Sequence, residues 1–182
     1  MEVLDPIAVA ALDAQGWYEF LLKKYFVWKY TAANRYASTT KHLKLQATSL
    51  GLDGLLEIKR AIFQAAKVGV REGLVEAMTV KGLGPAGASG LLALLFPARF
   101  GTADQFVVKS LCSVPTLPER DAVRDMNPES LTLADAVLLI GVMAAKARSL
   151  NQTFATTIWT PRKIDKILWA IERHRDLTQG HV

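Results

Sequence analysis

A single cysteine, Cys112, in 182 residues excludes an internal disulfide and any thiolate cluster of the kind that holds structural zinc or an iron–sulfur centre. Long apolar runs are missing too. The longest, around Ala136 to Ala145, is too short to cross a bilayer and reads as a buried helix, so no membrane partner is expected. The opening Met-Glu-Val-Leu-Asp-Pro has no basic segment. No signal peptide is expected, and the expected setting is the reducing cytoplasm. Alternating runs rich in Val, Ile and Thr are scarce, which argues against a sheet. The three histidines, His42, His174 and His181, have no mutual spacing that suggests a metal site, and the two C-terminal ones are expected in solvent. Ser89 and Cys112 have no histidine nearby in sequence, so neither reads as a nucleophile.

Acidic residues are scarce in particular places. From Phe20 to Leu52 the chain holds Lys23, Lys24, Lys29, Arg35, Lys41 and Lys44 and no Asp or Glu. Ala136 to Ile164 holds Lys146, Arg148, Arg162 and Lys163, again without an acid. From Ala77 to Pro118 the one acid is Asp104, and its nearest charged neighbours in sequence are Lys81, Arg99 and Lys109. Net charge is +5 and the pI is about 9.4. Blocks of one sign suit a polyanion partner, although a solvated basic face would look the same.

What is present is apolar and helical. Half the residues (51%) are hydrophobic, enough for a core. The spacing predicts an all-α chain, read as one helical domain over 1–182 or two small lobes with a groove between them. Pro6 suits a first helical turn with Asp5 as cap. A short helix is expected over Trp17–Tyr25, another from a Thr31 cap to about Ser49 with Gly51 ending it, and another with Leu55, Ile58, Ile62, Ala65 and Ala66 buried until Gly69. Arg71–Met78 and the run from Pro85 to Pro97 flank a glycine turn. Thr102 or Asp104 begins a helix to about Leu111. Ser113–Ser130 reads as a surface loop or a short helical excursion. Thr132 caps a long apolar helix to about Ser149, and Thr160-Pro161 starts a last helix with Ile164, Ile167, Leu168 and Ile171 on one face.

The glycine turn is the most telling segment: Lys81-Gly82-Leu83-Gly84-Pro85-Ala86-Gly87-Ala88-Ser89. Two helices joined by Gly-x-Gly, over about 71–96, make a helix-hairpin-helix. Its second helix points free N–H groups and the positive end of its dipole outward, which suits a phosphate. Gly82 and Gly84 permit the turn, Gly84, Ala86 and Gly87 supply amides, and Lys81 adds charge. Such contacts hold DNA without reading its sequence. A tight helix–helix turn without any ligand has the same string.

Residues from about Leu74 to Lys109 resemble the central part of the helix-hairpin-helix DNA glycosylase superfamily, which includes 8-oxoguanine glycosylase, endonuclease III and the mismatch adenine glycosylase. In that family an essential Asp follows the second hairpin glycine by about twenty residues, and Asp104-Gln105-Phe106-Val107 stands at that spacing here. The chain also resembles small bacterial proteins of 8-oxoguanine-glycosylase fold, through Tyr25-Phe26-Val27-Trp28-Lys29-Tyr30 and Trp159-Thr160-Pro161-Arg162.

The resemblance implies a DNA repair hydrolase that excises a modified base from double-stranded DNA, with Asp104 as the catalytic carboxylate. Bifunctional members carry a Schiff-base lysine two residues after the second glycine. Ala86 stands there, so excision without strand cleavage is implied, unless Lys81 or Lys109 substitutes in space. The cysteine cluster of the iron–sulfur members is absent, and the chain is short for the family. No cofactor is expected, other than a monovalent cation that the hairpin could hold. Trp28, Phe106 and Trp159 are candidates to stack on a flipped base, against the core role that aromatic residues mostly take. A non-catalytic DNA-binding module and a helical protein-interaction domain stand as alternatives.

Overall fold

A computed structural model describes residues 4–179, so His181 lies outside the described residues. Every regular element among them is helical. They divide into two compact units, one ending at Phe96 and the other beginning at Pro97.

In the first unit, α1 (Pro6–Ala10) starts on Asp5, whose carboxylate accepts the Ile7 N–H at 2.8 Å, with Pro6 in the first turn where a missing N–H costs nothing. Asp13 caps α2 (Ala14–Glu19) by accepting from Gly16 N–H at 2.7 Å. The helix expected over Trp17–Tyr25 is part of a longer rod. α2 continues without a break into a π-helical turn, Phe20–Tyr25, and then α3 (Phe26–Lys29), and Phe26 N–H reaches back five residues to the Leu21 carbonyl.

The next helix begins after Ala32, not Thr31, and runs on past Ser49 as α4 (Ala33–Val68). Gly51, at φ 71° and ψ 169°, is non-helical and divides α4 into two helices that meet at a kink, the stop expected there, because glycine alone takes that conformation cheaply. Gly69 is extended and separates α4 from α5 (Val70–Ala77). A turn then leads to α6 (Pro85–Leu95), which ends at Phe96 just before Pro97. Trp17, Leu21, Tyr25 and Phe26 from the rod, Leu43, Leu55 and Ile62 from α4, Leu74 from α5, and Leu91 and Leu92 from α6 are fully buried. Each large side chain of this core contributes about 1.5–3 kcal/mol of transfer free energy at most. Lys59, buried on α4, donates from Nζ to the carbonyls of Ala10 (2.8 Å) and Leu12 at the end of α1, and burial pushes its pKa down.

The second unit contains α7 (Gln105–Cys112), α8 (Arg120–Arg124), α9 (Leu133–Thr153) and α10 (Pro161–Gln179), with α10 packed on α7 and α9. α8 is the short excursion within 113–130. α9 opens with a reciprocal cap: Asp135 N–H donates to Thr132 Oγ1 and Thr132 N–H donates to Asp135 Oδ2. The expected apolar face of α10 is narrower than its sequence suggests. Ile164 and Leu168 are buried, whereas Ile167 (43% exposed) and Ile171 (42%) are not. The position between them that turns inward is Asp165, 2% exposed. Its carboxylate accepts Thr102 N–H at 2.5 Å and takes Arg162 Nη1 at 2.8 and 3.1 Å, and Arg162 also donates to Thr102 Oγ1 at 3.1 Å. Burial raises the Asp165 pKa, and Arg162 and the Thr102 donors pull it back. This cluster ties the stretch leading to α7 onto the last helix.

Candidate nucleic-acid interface

The hairpin turn lies in the first unit and is built from α4 and the rod as much as from its own glycines. Leu83 N–H closes on the Val80 carbonyl at 3.0 Å. Gly82 sits at φ +96°, and a Cβ there would come within 2.8–3.1 Å of Thr39, its backbone included. Gln46, buried on α4, spans the turn with both ends of its amide: Nε2 donates to Thr79 C=O at 2.8 Å and Oε1 accepts Lys81 N–H at 2.8 Å. Tyr30 Oη donates weakly to Gly82 C=O at 3.4 Å, and Tyr25 Oη donates to Gly87 C=O. Burial raises the Tyr30 pKa, opposed by a hydrogen bond with Thr39 and by the nearby charge of Arg35.

The small residues of α6 are needed where the rod crosses it. A Cβ on Gly87 would collide with the Tyr30 hydroxyl, and one on Gly90 would sit 2.9 Å from the Tyr25 hydroxyl. The front of the turn is open. Lys81 and Gly84 are exposed, Gly82 and Ala86 are half-buried, and nothing lies within 4 Å of where a Gly84 Cβ would be. Pro85 has no N–H, and the first internal bond of α6 runs from Ala88 N–H to Gly84 C=O at 2.8 Å. Among the described residues, no acceptor meets the N–H groups of Gly84, Ala86 or Gly87. The carbonyls of Thr79, Val80 and Gly82 all accept hydrogen bonds within this framework.

No family model, curated protein or solved structure matches this chain. Its sites therefore rest on their own geometry.

In the second unit, Asp104 is the N-cap of α7. It is half-buried, and its Oδ1 accepts Phe106 N–H at 3.1 Å and Val107 N–H at 3.3 Å. The three aromatic candidates are all half-buried rather than in the core. Trp28 lies against Tyr25, with ring centroids 5.9 Å apart. Phe106 packs edge-on to Trp169 at 6.1 Å, and Arg173 covers that indole at 5.9 Å. Trp159 is fixed through its backbone, which exchanges two 2.9 Å hydrogen bonds with the Asn151 side chain. The structure thus gathers Lys81, Gly82, Gly84, Ala86 and Gly87 in one turn, places Asp104 and Phe106 at one helix start, and sets Trp159 in the connection before α10. Among the described residues, no group of three or more His, Cys, Asp or Glu side chains is arranged to hold a metal, and no helix is long and apolar enough to cross a membrane.

Sequence reasoning missed the supports: Gln46, Tyr25, Tyr30 and Thr39. One signal was available. Thr39 and Gln46 are polar residues at positions where α4 has buried spacing with Leu43, and a polar group in such a place needs a partner.

Proposed function

We propose that this protein binds double-stranded DNA through the backbone amides of its hairpin, and that it is a DNA glycosylase without lyase chemistry. The observation that carries the reading is the start of α6, where the N–H groups of exposed Gly84 and half-buried Ala86 meet no acceptor beside Lys81, while Gly87 is buried behind them, in a stretch without acids from Ala77 to Ala103. A phosphate oxygen satisfies such donors and is favoured by the helix dipole.

In the glycosylase reading, the damaged nucleotide is flipped out of the stack and its glycosidic bond is hydrolysed. Positive charge develops on the sugar as the base departs. The Asp104 carboxylate stabilises that charge and orients the attacking water. Ala86 at the position of the family's Schiff-base lysine leaves hydrolysis as the route. Its cap role and its proposed chemistry can be separated, because Asn caps a helix as well as Asp does. Asp104→Asn should keep thermal stability close to wild type and abolish release of free base from a panel of lesion-containing duplexes. Asp104→Ala should lose release and also about 1 kcal/mol of stability.

A second reading, a DNA-binding module that has lost the chemistry, is favoured by the use of Asp104 Oδ1 on two backbone amides and by Ala86. Salt-dependent duplex binding with no base released from any lesion would select it and reject the enzyme.

A further inference from the structure

The hairpin occupies one edge of α4, and that edge continues on both sides of it. Thr39 and Gln46, the two α4 residues against the turn, are seven positions apart, two helical turns on one line. Arg35 stands four residues before Thr39. His42 stands three after Thr39 and four before Gln46. At 3.6 residues per turn both lie within roughly 50° of the line that touches the hairpin, whereas Lys41 and Lys44 lie about 150° away from it. Arg35 and His42 are exposed. Arg35 is close enough to Tyr30 for its charge to act on that phenol, and the Tyr30 hydroxyl reaches the turn at Gly82.

Several cations of the described residues have acidic partners, Lys23 with Glu19, Arg60 with Glu57, Arg162 with Asp165 and Arg175 with Glu172, whereas others do not. Among the described residues, neither Arg35 nor Lys81 has one, and the chain from Phe20 to Leu52 offers none. A cation left unpaired beside a row of free amides is complementary to a chain of phosphates.

We propose that Arg35 and His42 form a second row of phosphate contacts beside the hairpin, so that α4 and the turn together follow the backbone of one nucleic-acid strand. This rests on the DNA-binding reading above and adds the path of the strand across the first unit. The row contacts backbone only and is indifferent to sequence.

The test is duplex binding by fluorescence anisotropy over a salt series, with an undamaged duplex as probe. Each variant is first checked by thermal melting, and all substituted positions are exposed. Arg35→Ala with His42→Ala should weaken binding about tenfold and flatten the salt slope by about one, while Lys41→Ala with Lys44→Ala, which removes two charges from the same helix, should leave affinity within about twofold. Equal losses from the two pairs would overturn the proposal in favour of diffuse attraction. If Lys81→Ala weakens binding and Arg35→Ala with His42→Ala does not, the row is wrong and the hairpin reading stands. If the wild-type protein binds no duplex at any salt, the DNA reading falls and takes the row with it.

Discussion

Gln46 is a bracket that holds the hairpin. One buried amide side chain satisfies the Thr79 carbonyl and the Lys81 N–H together, so the turn is fastened to α4 at two points. Gln46→Leu keeps the volume and removes both bonds, leaving two backbone groups without their partner. It should cost about 1–3 kcal/mol in chemical denaturation and raise hydrogen exchange at the Lys81 amide. A variant as stable as wild type, with unchanged exchange at Lys81, would show that the bracket is idle. The glycines were readable because their role is local: Gly82 at φ +96° serves a turn that the chain around it announces. Gln46, Tyr25 and Tyr30 were not readable as supports, because each acts on a backbone atom at least 33 residues away. Asp104 was legible as a cap from its setting before an apolar helix, and its hydrogen bonds to Phe106 and Val107 N–H show that role.

At the scale of elements, starts and stops were the most legible features. Asp5-Pro6, Gly84-Pro85, Asp104, Thr132 and Pro161 all begin helices where capping chemistry puts them. Gly51 stops one helix as expected, and a second follows across the kink, with Leu43 buried on one side and Leu55 on the other. One element, α10, departed from its sequence pattern for a tertiary reason. On α10 the inward position is Asp165, a carboxylate among apolar neighbours, because Arg162 and Thr102 neutralise and bond it. That cluster makes a testable statement about pH. The Asp165 pKa is raised in the folded protein, so the group favours folding at pH below the ordinary carboxylate value and loses that contribution as pH climbs through its folded pKa. Arg162→Met leaves the buried carboxylate without its guanidinium and should cost about 3–5 kcal/mol at neutral pH. Protonation relieves the buried charge, so the deficit should shrink as pH falls through the raised pKa. Denaturation of variant and wild type at neutral and acidic pH compares the two, and a deficit that does not change with pH would mean Asp165 is already neutral.

For the whole molecule, the net charge of +5 matters less than where it is left uncompensated. Acids and bases are intermixed over Glu119–Glu129, whereas the α4 edge and the hairpin hold bases alone. Duplex affinity should therefore fall linearly with the logarithm of salt concentration, with a slope of about −2 to −4 from a few phosphates neutralised. A slope near zero in a salt titration would rule out a backbone-binding surface. The all-helical class was legible from apolar periodicity. How distant segments meet was not, because nothing in a periodic pattern says which carbonyl a tyrosine hydroxyl will find.

The π-helical turn at Phe20–Tyr25 sets the phase of the rod. One residue more than an α-helix would use rotates everything beyond it by about 100° relative to the preceding turns. Trp17 can thus sit in the core while Tyr25, eight residues on, delivers its hydroxyl to Gly87. Shortening that turn by a single residue would turn the far end of the rod back by about 100°, swing the phenol away from α6 and unlatch the start of that helix, with no side chain at the hairpin itself having changed.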